Sequence, residues 1–384
     1  MTPHTASTTP RPTRWPALAL IPLLCMSACI SPDAGPTQAP ARVTPDGPTS
    51  ADATTTVGTL ERFEFSHVVM GTRARLVVYA PGKPIASRAA QDAFREMDLL
   101  DAVLSDYRVD SEVARLRAHA ASDAFAEPAP ISTDMLHTLV WSLSIARVTH
   151  GAFDPTIAPL TQLWRQARRE GAAPSGPAFD EARSRVGYGH LILDANARTL
   201  AFAVRGMALD FGAVGKGLAA DRAISSLRNA GLASCMIEFG GEIVAGDPPP
   251  DAPPDAPPLA RGWTIALPRG ETSVLANAAL ATSGDAEQVI ELDGVRYAHI
   301  LDPRTGSPVR GPIEASVLAP LGALADPLAS AVCVLGPEGL RRVQGWSGWA
   351  ACLIMPDGQV RTIGNWPKQL DLDREEDHAS PAAR

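Results

Sequence analysis

The sequence predicts an α+β fold: mixed, largely antiparallel sheets with packed helices, in a single unit. Three observations carry that prediction. Some segments place apolar residues at helical spacing, while others are short apolar runs of strand length. The two kinds follow one another too irregularly for a doubly wound parallel sheet. Residues 288–292 and 295–300 flank Asp293-Gly294, the strongest short signal for an antiparallel hairpin.

Composition agrees. Of 384 residues, 45% are hydrophobic and 20% charged, which excludes wholesale disorder and a collagen-like chain. Lys and Arg number 34 against 42 Asp and Glu, a formal charge of −8 with no basic block. Sequence-independent nucleic-acid binding is therefore excluded. The 35 prolines decide how much of the chain folds.

At the N-terminus, Arg11 and Arg14 precede an apolar run over 15–26, too short to span a bilayer but suited to a signal-peptide core. Met26-Ser27-Ala28-Cys29 then resembles a bacterial lipobox. Two readings stand: a lipoprotein signal over 1–28 with Cys29 lipidated, or an ordinary signal with an incidental cysteine. The first anchors the chain to a membrane without spanning it. Residues 29–59, rich in Pro, Ala and Thr, read as a flexible tether.

The folded region is expected over 60–365. Residues 75–79 read as a strand. Ala93, Phe94, Met97, Leu100 and Leu104 recur at helical spacing, as do Leu136, Leu139, Val140, Leu143 and Ala146 after a possible cap at Ser132. A third helix covers 218–228, and 235–239 and 263–267 are apolar strands. The stretch 247–258, DPPPDAPPDAPP, fits neither helix nor central strand and reads as an exposed inserted loop. Residues 366–384 read as a disordered charged tail. Cys235, Cys333 and Cys352 lie in apolar surroundings and are expected as buried thiols.

Four segments carry chemistry. Asp210-Phe211-Gly212-Ala213-Val214-Gly215-Lys216-Gly217 opens the third helix. Its glycines and lysine suit an anion site at a helix N-terminus, with a structural glycine turn as the equal alternative. It is no Walker A loop, since two residues separate Gly212 from Gly215 and a glycine follows the lysine. Gly151-Ala152-Phe153-Asp154-Pro155 reads as a rigid turn after a helix. Ala281-Thr282-Ser283-Gly284-Asp285 leads into the hairpin that carries His299, a strand histidine open to a structural or a catalytic role. In Ala325-Asp326-Pro327-Leu328-Ala329-Ser330, Asp326 is expected at a helix N-cap with Pro327 at the first helical position. Ser330 then lies one turn on, on the face of Asp326, so the pair reads as plain capping or as oxygen ligands for a hard cation.

Taken together and in order, these segments resemble the ApbE family of FAD:protein FMN transferases. The matching stretches are Met70-Gly71-Thr72, Ser105-Asp106-Tyr107-Arg108 with Ser111-Glu112, GAFDPTIAPL, DFGAVGKG, Glu238-Phe239-Gly240-Gly241-Glu242, ATSGD, YAHILDPRTG and ADPLAS. They span about 66–336, nearly the whole folded region; each is weak alone, and their collinearity is specific.

The resemblance implies a T-fold-related architecture and a Mg²⁺-dependent transfer of FMN from FAD to a threonine hydroxyl of a partner flavoprotein, with AMP released. It implies FAD contacts at Met70, Tyr107, Ala152, Phe153, Asp154, Asp210, Lys216, Ser283, His299 and Ile300. It further implies Mg²⁺ ligation by the Ala213 carbonyl, Asp326 and Ser330, with His299 and Lys216 in catalysis. Implied partners are flavin-accepting subunits of membrane redox complexes, met at the bacterial cell envelope on the periplasmic side. Departures from the family pattern are Ser330 for Thr, Pro327 for Ala, Ala329 where some relatives have a second Asp, and the 247–258 insertion. An FAD pyrophosphatase and a non-catalytic flavin-binding lipoprotein are the alternatives.

Overall fold

The computed structural model describes residues 59–252, 261–267, 270–284, 289–292, 295–310, 313–344 and 348–367, and of 289–299 and 310 the backbone alone. The expected signal segment, Cys29, nearly all of the tether, the Asp293-Gly294 turn, the end of the proline-rich stretch and the tail beyond 367 lie outside the described residues. Among the described residues no helix is long and apolar enough to cross a membrane.

The first hairpin pairs β1 (Glu61–Val69) with β2 (Thr72–Ala80). Met70 and Gly71 close it at φ 49° and 75°, the two left-handed positions of a type I′ turn. α1 (Lys83–Leu104) buries the predicted stripe, Ala93 through Leu104. α2 (Glu112–Ala121) starts at Ser111, whose hydroxyl accepts the Ala114 amide. β3 (Ala129–Pro130) precedes α3 (Thr133–Val148), which Ser132 caps as expected. α3 is buried on more than one face: Met135, Trp141 and Ile145 are inside, while Leu136 and Val140 are only half-buried.

α4 (Ala158–Glu170), α5 (Gly176–Ser184) and the hairpin of β4 (Leu191–Asp194) with β5 (Thr199–Phe202) follow. α6 (Gly215–Asn229) starts three residues before the predicted helix, so Lys216 lies in its first turn. Next come β6 (Cys235–Phe239), β7 (Glu242–Ala245), β8 (Trp263–Ala266), β9 (Thr272–Leu275) and β10 (Ala278–Gly284). The predicted hairpin is β11 (Val289–Leu292) with β12 (Val295–Leu301), Leu292 opposite Val295. The chain ends in β13 (Pro308–Arg310), β14 (Glu314–Ala319), α7 (Gly322–Leu335), α8 (Pro337–Val343), β15 (Ala350–Ile354) and β16 (Val360–Gly364).

Eight strands form the main sheet in the order β1-β2-β6-β7-β10-β14-β15-β16, each pair antiparallel. The α+β expectation holds. α6 packs between α1 and α7 and against β6 and β7, covering one face. On the other face, Val77, Tyr79, Met236 and Leu280 pack with Trp263, Ile265 and Leu275 of β8 and β9. The start of the proline-rich stretch reaches this second face, where the Tyr79 hydroxyl donates to Asp251 at 3.0 Å. The three described cysteines are buried, as expected.

One expectation fails. Asp326 is not an N-cap and Pro327 is not at the first helical position: α7 begins at Gly322, placing Pro327 inside the helix. The cap comes from another helix. Asp221 of α6 accepts the Gly322 and Ala323 amides at 2.9 Å each. Those are orphan donors of the first turn, and a carboxylate brought from elsewhere satisfies them, so no capping residue is needed in the local sequence. Proline lacks an amide for the Ala323 carbonyl and disfavours a helix interior; packing across the length of α7, buried from Gly322 to Ala329, offsets that cost.

Candidate active site

Two glycines bring the site together. A Cβ added to Gly217 on α6 would collide with the Gly322 carbonyl on α7, so the helices cross at backbone contact. That crossing puts Lys216 beside Asp326. The Lys216 ammonium donates to Asp326 Oδ2 at 3.0 Å and to the Gly212 carbonyl at 3.1 Å. Asp326 is only 5% exposed. The lysine stem lies over the β6–β7 turn, where a Cβ on Gly240 would stand 3.2 Å from Lys216 Cδ. Gly240 and Gly241 have φ 57° and 86°, a conformation that glycine adopts without strain.

Ser330 follows Asp326 by one turn, as the sequence predicted. Its hydroxyl hydrogen-bonds the Ser283 hydroxyl on β10 at 3.0 Å, and the Cys333 thiol donates to the Ser283 carbonyl. Ala213 sits in the turn leading into α6, beside Gly212, whose carbonyl accepts the Lys216 ammonium. Met70 also reaches this point: a Cβ on Gly215 would be 3.9 Å from its sulfur.

Asp210 is anchored on three sides. Its amide donates to the Pro155 carbonyl, Oδ1 accepts the Gly212 amide at 2.9 Å, and Oδ2 accepts the Thr161 hydroxyl at 3.0 Å. Arg165 on α4 is 3.9 Å from Asp210 Oδ2 and pairs with Asp106 at 2.5 Å. Its guanidinium lies over the Tyr107 ring, 4.9 Å from the centroid, in cation–π geometry. Tyr107 is 77% exposed and presents an aromatic surface.

The Gly151–Pro155 segment stands behind this loop. Ala152 and Phe153 are buried. Asp154 gives Oδ1 to the Thr156 amide and hydroxyl and Oδ2 to the Tyr188 amide, and burial raises its pKa despite those bonds. Here the carboxylate fixes the turn whose Pro155 carbonyl holds Asp210. His299 lies on β12, and its side chain is outside the described residues; Ile300 beside it is buried.

Sequence reasoning gave no role to Glu242, Asp221 or Arg165. Glu242 is 2% exposed, and among the described residues neither carboxylate oxygen has a hydrogen-bond partner. Burial first, then the Asp326 charge, push its pKa well up, opposed by Lys216. Burial pushes Asp221 up to about 7. A signal for Glu242 was present, an acidic residue directly after two turn glycines; Asp221 and Arg165 carried none, because their partners are distant in sequence.

A hard cation fits these residues. Asp326, the Ser330 hydroxyl and the Ala213 carbonyl are oxygen donors of the kind Mg²⁺ takes. Among the described residues no three His, Cys, Asp or Glu side chains could hold a metal ion, so a cation here depends on backbone and hydroxyl oxygens as well. An ammonium and a helix N-terminus next to such donors define a protein that handles phosphate groups. The comparisons narrow the class: the ApbE family model matches residues 70–354, and the chain belongs to the ApbE family. It is 31% identical over 324 residues to the FAD:protein FMN transferase of Treponema pallidum, covering 79% of this chain and 87% of that one. Solved structures agree. The Pseudomonas stutzeri flavinyl transferase ApbE, apo form, matches with TM-score 0.68 at 29% identity over 80% of this chain and 95% of that chain. The Vibrio cholerae flavin transferase ApbE matches with TM-score 0.66 at 26% identity over 79% and 96%.

Proposed function

We propose that this chain is a Mg²⁺-dependent FAD:protein FMN transferase, moving FMN from FAD to a threonine hydroxyl of a partner flavoprotein and releasing AMP. The observation that supports it best is the Lys216–Asp326 pair beside the Ala213 carbonyl and the Ser330 hydroxyl, at the glycine-rich start of α6.

The threonine oxygen bonds to the FMN-side phosphorus, and the anhydride bond to the AMP phosphate breaks. Ala213, Asp326 and Ser330 would hold the cation, which supplies neutralisation of phosphate charge. Lys216 contributes the charge of its ammonium, and the first-turn amides of α6 favour an anion. Met70 and Tyr107 offer surfaces for the ring systems of FAD. His299 accepts the threonine proton, the part an imidazole takes in general base catalysis. Positioning supplies the rest, as in other phosphoryl transfers.

The same reading puts the chain at the cell envelope, lipid-anchored through Cys29 and facing the periplasm. It rests on the basic residues, the apolar run and the cysteine at its end.

The test is transfer to an acceptor domain bearing the target threonine, read as flavin fluorescence on the acceptor in a denaturing gel. Full label with the native chain, and its loss in His299→Ala and in Asp326→Ala, is expected. Undiminished transfer in both variants would overturn the site assignment. Rapid AMP release from FAD without acceptor would replace the transferase by a pyrophosphatase.

A further inference from the structure

Glu242 is a buried carboxylate without a donor among the described residues. Leaving such a group unmatched costs more than a typical hydrogen bond returns, so its retention inside the site calls for a partner. Glu242 begins β7 opposite Phe239, which is fully buried, so both side chains project from the sheet face that α6 and α7 cover. The neighbouring carboxylates are already engaged. Asp221 holds two amides of α7, and Asp326 accepts the Lys216 ammonium.

Lys216 is the group that can turn. Its Cδ rests on Gly240, two residues before Glu242, while its ammonium extends to Asp326. The ammonium holds Oδ2, one of the two oxygens that Asp326 can offer a cation, and an ammonium and a divalent cation sharing one carboxylate repel each other. A cation on Asp326 therefore pushes the ammonium away. We propose that Glu242 is the alternate acceptor for Lys216: when a hard cation takes Asp326, the ammonium pivots over Gly240 onto the Glu242 carboxylate. Glu242 is thus a positioning residue that lets Asp326 exchange an ammonium for a metal ion while keeping Lys216 beside the phosphates. This rests on the reading of Asp326 as a cation ligand.

The test titrates Mn²⁺ into the full chain without FAD, reading free Mn²⁺ by electron paramagnetic resonance. Wild type is expected to bind. Glu242→Met, which keeps the bulk and removes the acceptor, should weaken binding about tenfold or more, the scale for residues that orient metal ligands. Glu242→Gln, with one acceptor oxygen and no charge, should fall between the two. Both losses should vanish in a Lys216→Met background, because no ammonium then competes for Asp326. Thermal unfolding of each variant checks the fold; if the Met variant does not fold, the Gln variant with and without Lys216→Met decides. Unchanged binding in the Glu242 variants, or a loss that persists without Lys216, would overturn the exchange while leaving the cation site standing. Absence of Mn²⁺ binding to the wild type would overturn the cation reading and the exchange with it.

Discussion

Met70 holds a conformation that side chains resist. At φ 49° its Cβ is crowded, which glycine would avoid. The β1–β2 turn needs two left-handed residues, and glycine supplies only the second. The methionine remains where its sulfur meets the start of α6. Strain kept beside a site points to use there. Met70→Gly should therefore stabilise the fold by about 1 kcal/mol, the order of the left-handed penalty, and weaken FAD binding. Urea unfolding and a flavin-fluorescence titration measure the two, and unchanged FAD affinity would remove Met70 from the site. Lys216 and Asp326 were both legible as site residues from sequence. Their direct bond was not, since it depends on two helices meeting 110 positions apart. The glycine that permits the approach, Gly217, reads in sequence as part of an anion loop, and in space it is the crossing point with Gly322.

At the scale of elements, α7 shows how a cap can be misread. Asp-Pro is a strong local start signal, yet the helix begins five residues earlier because Asp221 reaches across from α6. This cap has a pH consequence. Burial raises the folded pKa of Asp221 to about 7, against about 3.9 for an unfolded aspartate. Between those values the folded chain binds the extra proton, so stability falls as pH rises from 4 towards 7. Glu242 shifts in the same direction. The unfolding midpoint should therefore rise when pH is lowered from 8 to 6, with a shallower slope in Asp221→Asn. A slope unchanged by that substitution would show that Asp221 does not titrate there. The helices α1 and α3 were read correctly because their apolar positions, and the Ser132 cap of α3, are local. β1, β10 and β14 to β16 were not singled out; β10 and β14 pair with strands distant in sequence, and the burial of all five is decided by the sheet.

For the whole molecule, the order β1-β2-β6-β7-β10-β14-β15-β16 sets the result. It leaves one sheet face for α6 and α7, where the site forms, and gives the other to β8, β9 and the start of the proline-rich stretch. The start of that stretch, on the second face, is separated from the chemistry by the sheet. The N-terminal reading belongs to this scale as well. Cys29→Ala should release the expressed protein from the membrane fraction while transfer in solution persists, measured by fractionation and by acceptor labelling. Retention of the variant on membranes would count against a lipid anchor at Cys29.

The sequence by itself determined the α+β class, the buried thiols, the α3 helix with its local cap, the family resemblance and the candidate site residues. Those follow from residue type and short-range spacing. Only the tertiary structure decided that Asp221 caps α7, that Arg165 backs Tyr107, that Asp154 braces the Asp210 loop and that Glu242 is buried without a donor among the described residues. Each depends on side chains from separate elements sharing one desolvated volume, and the free energy of a buried polar group is set by its neighbours in space.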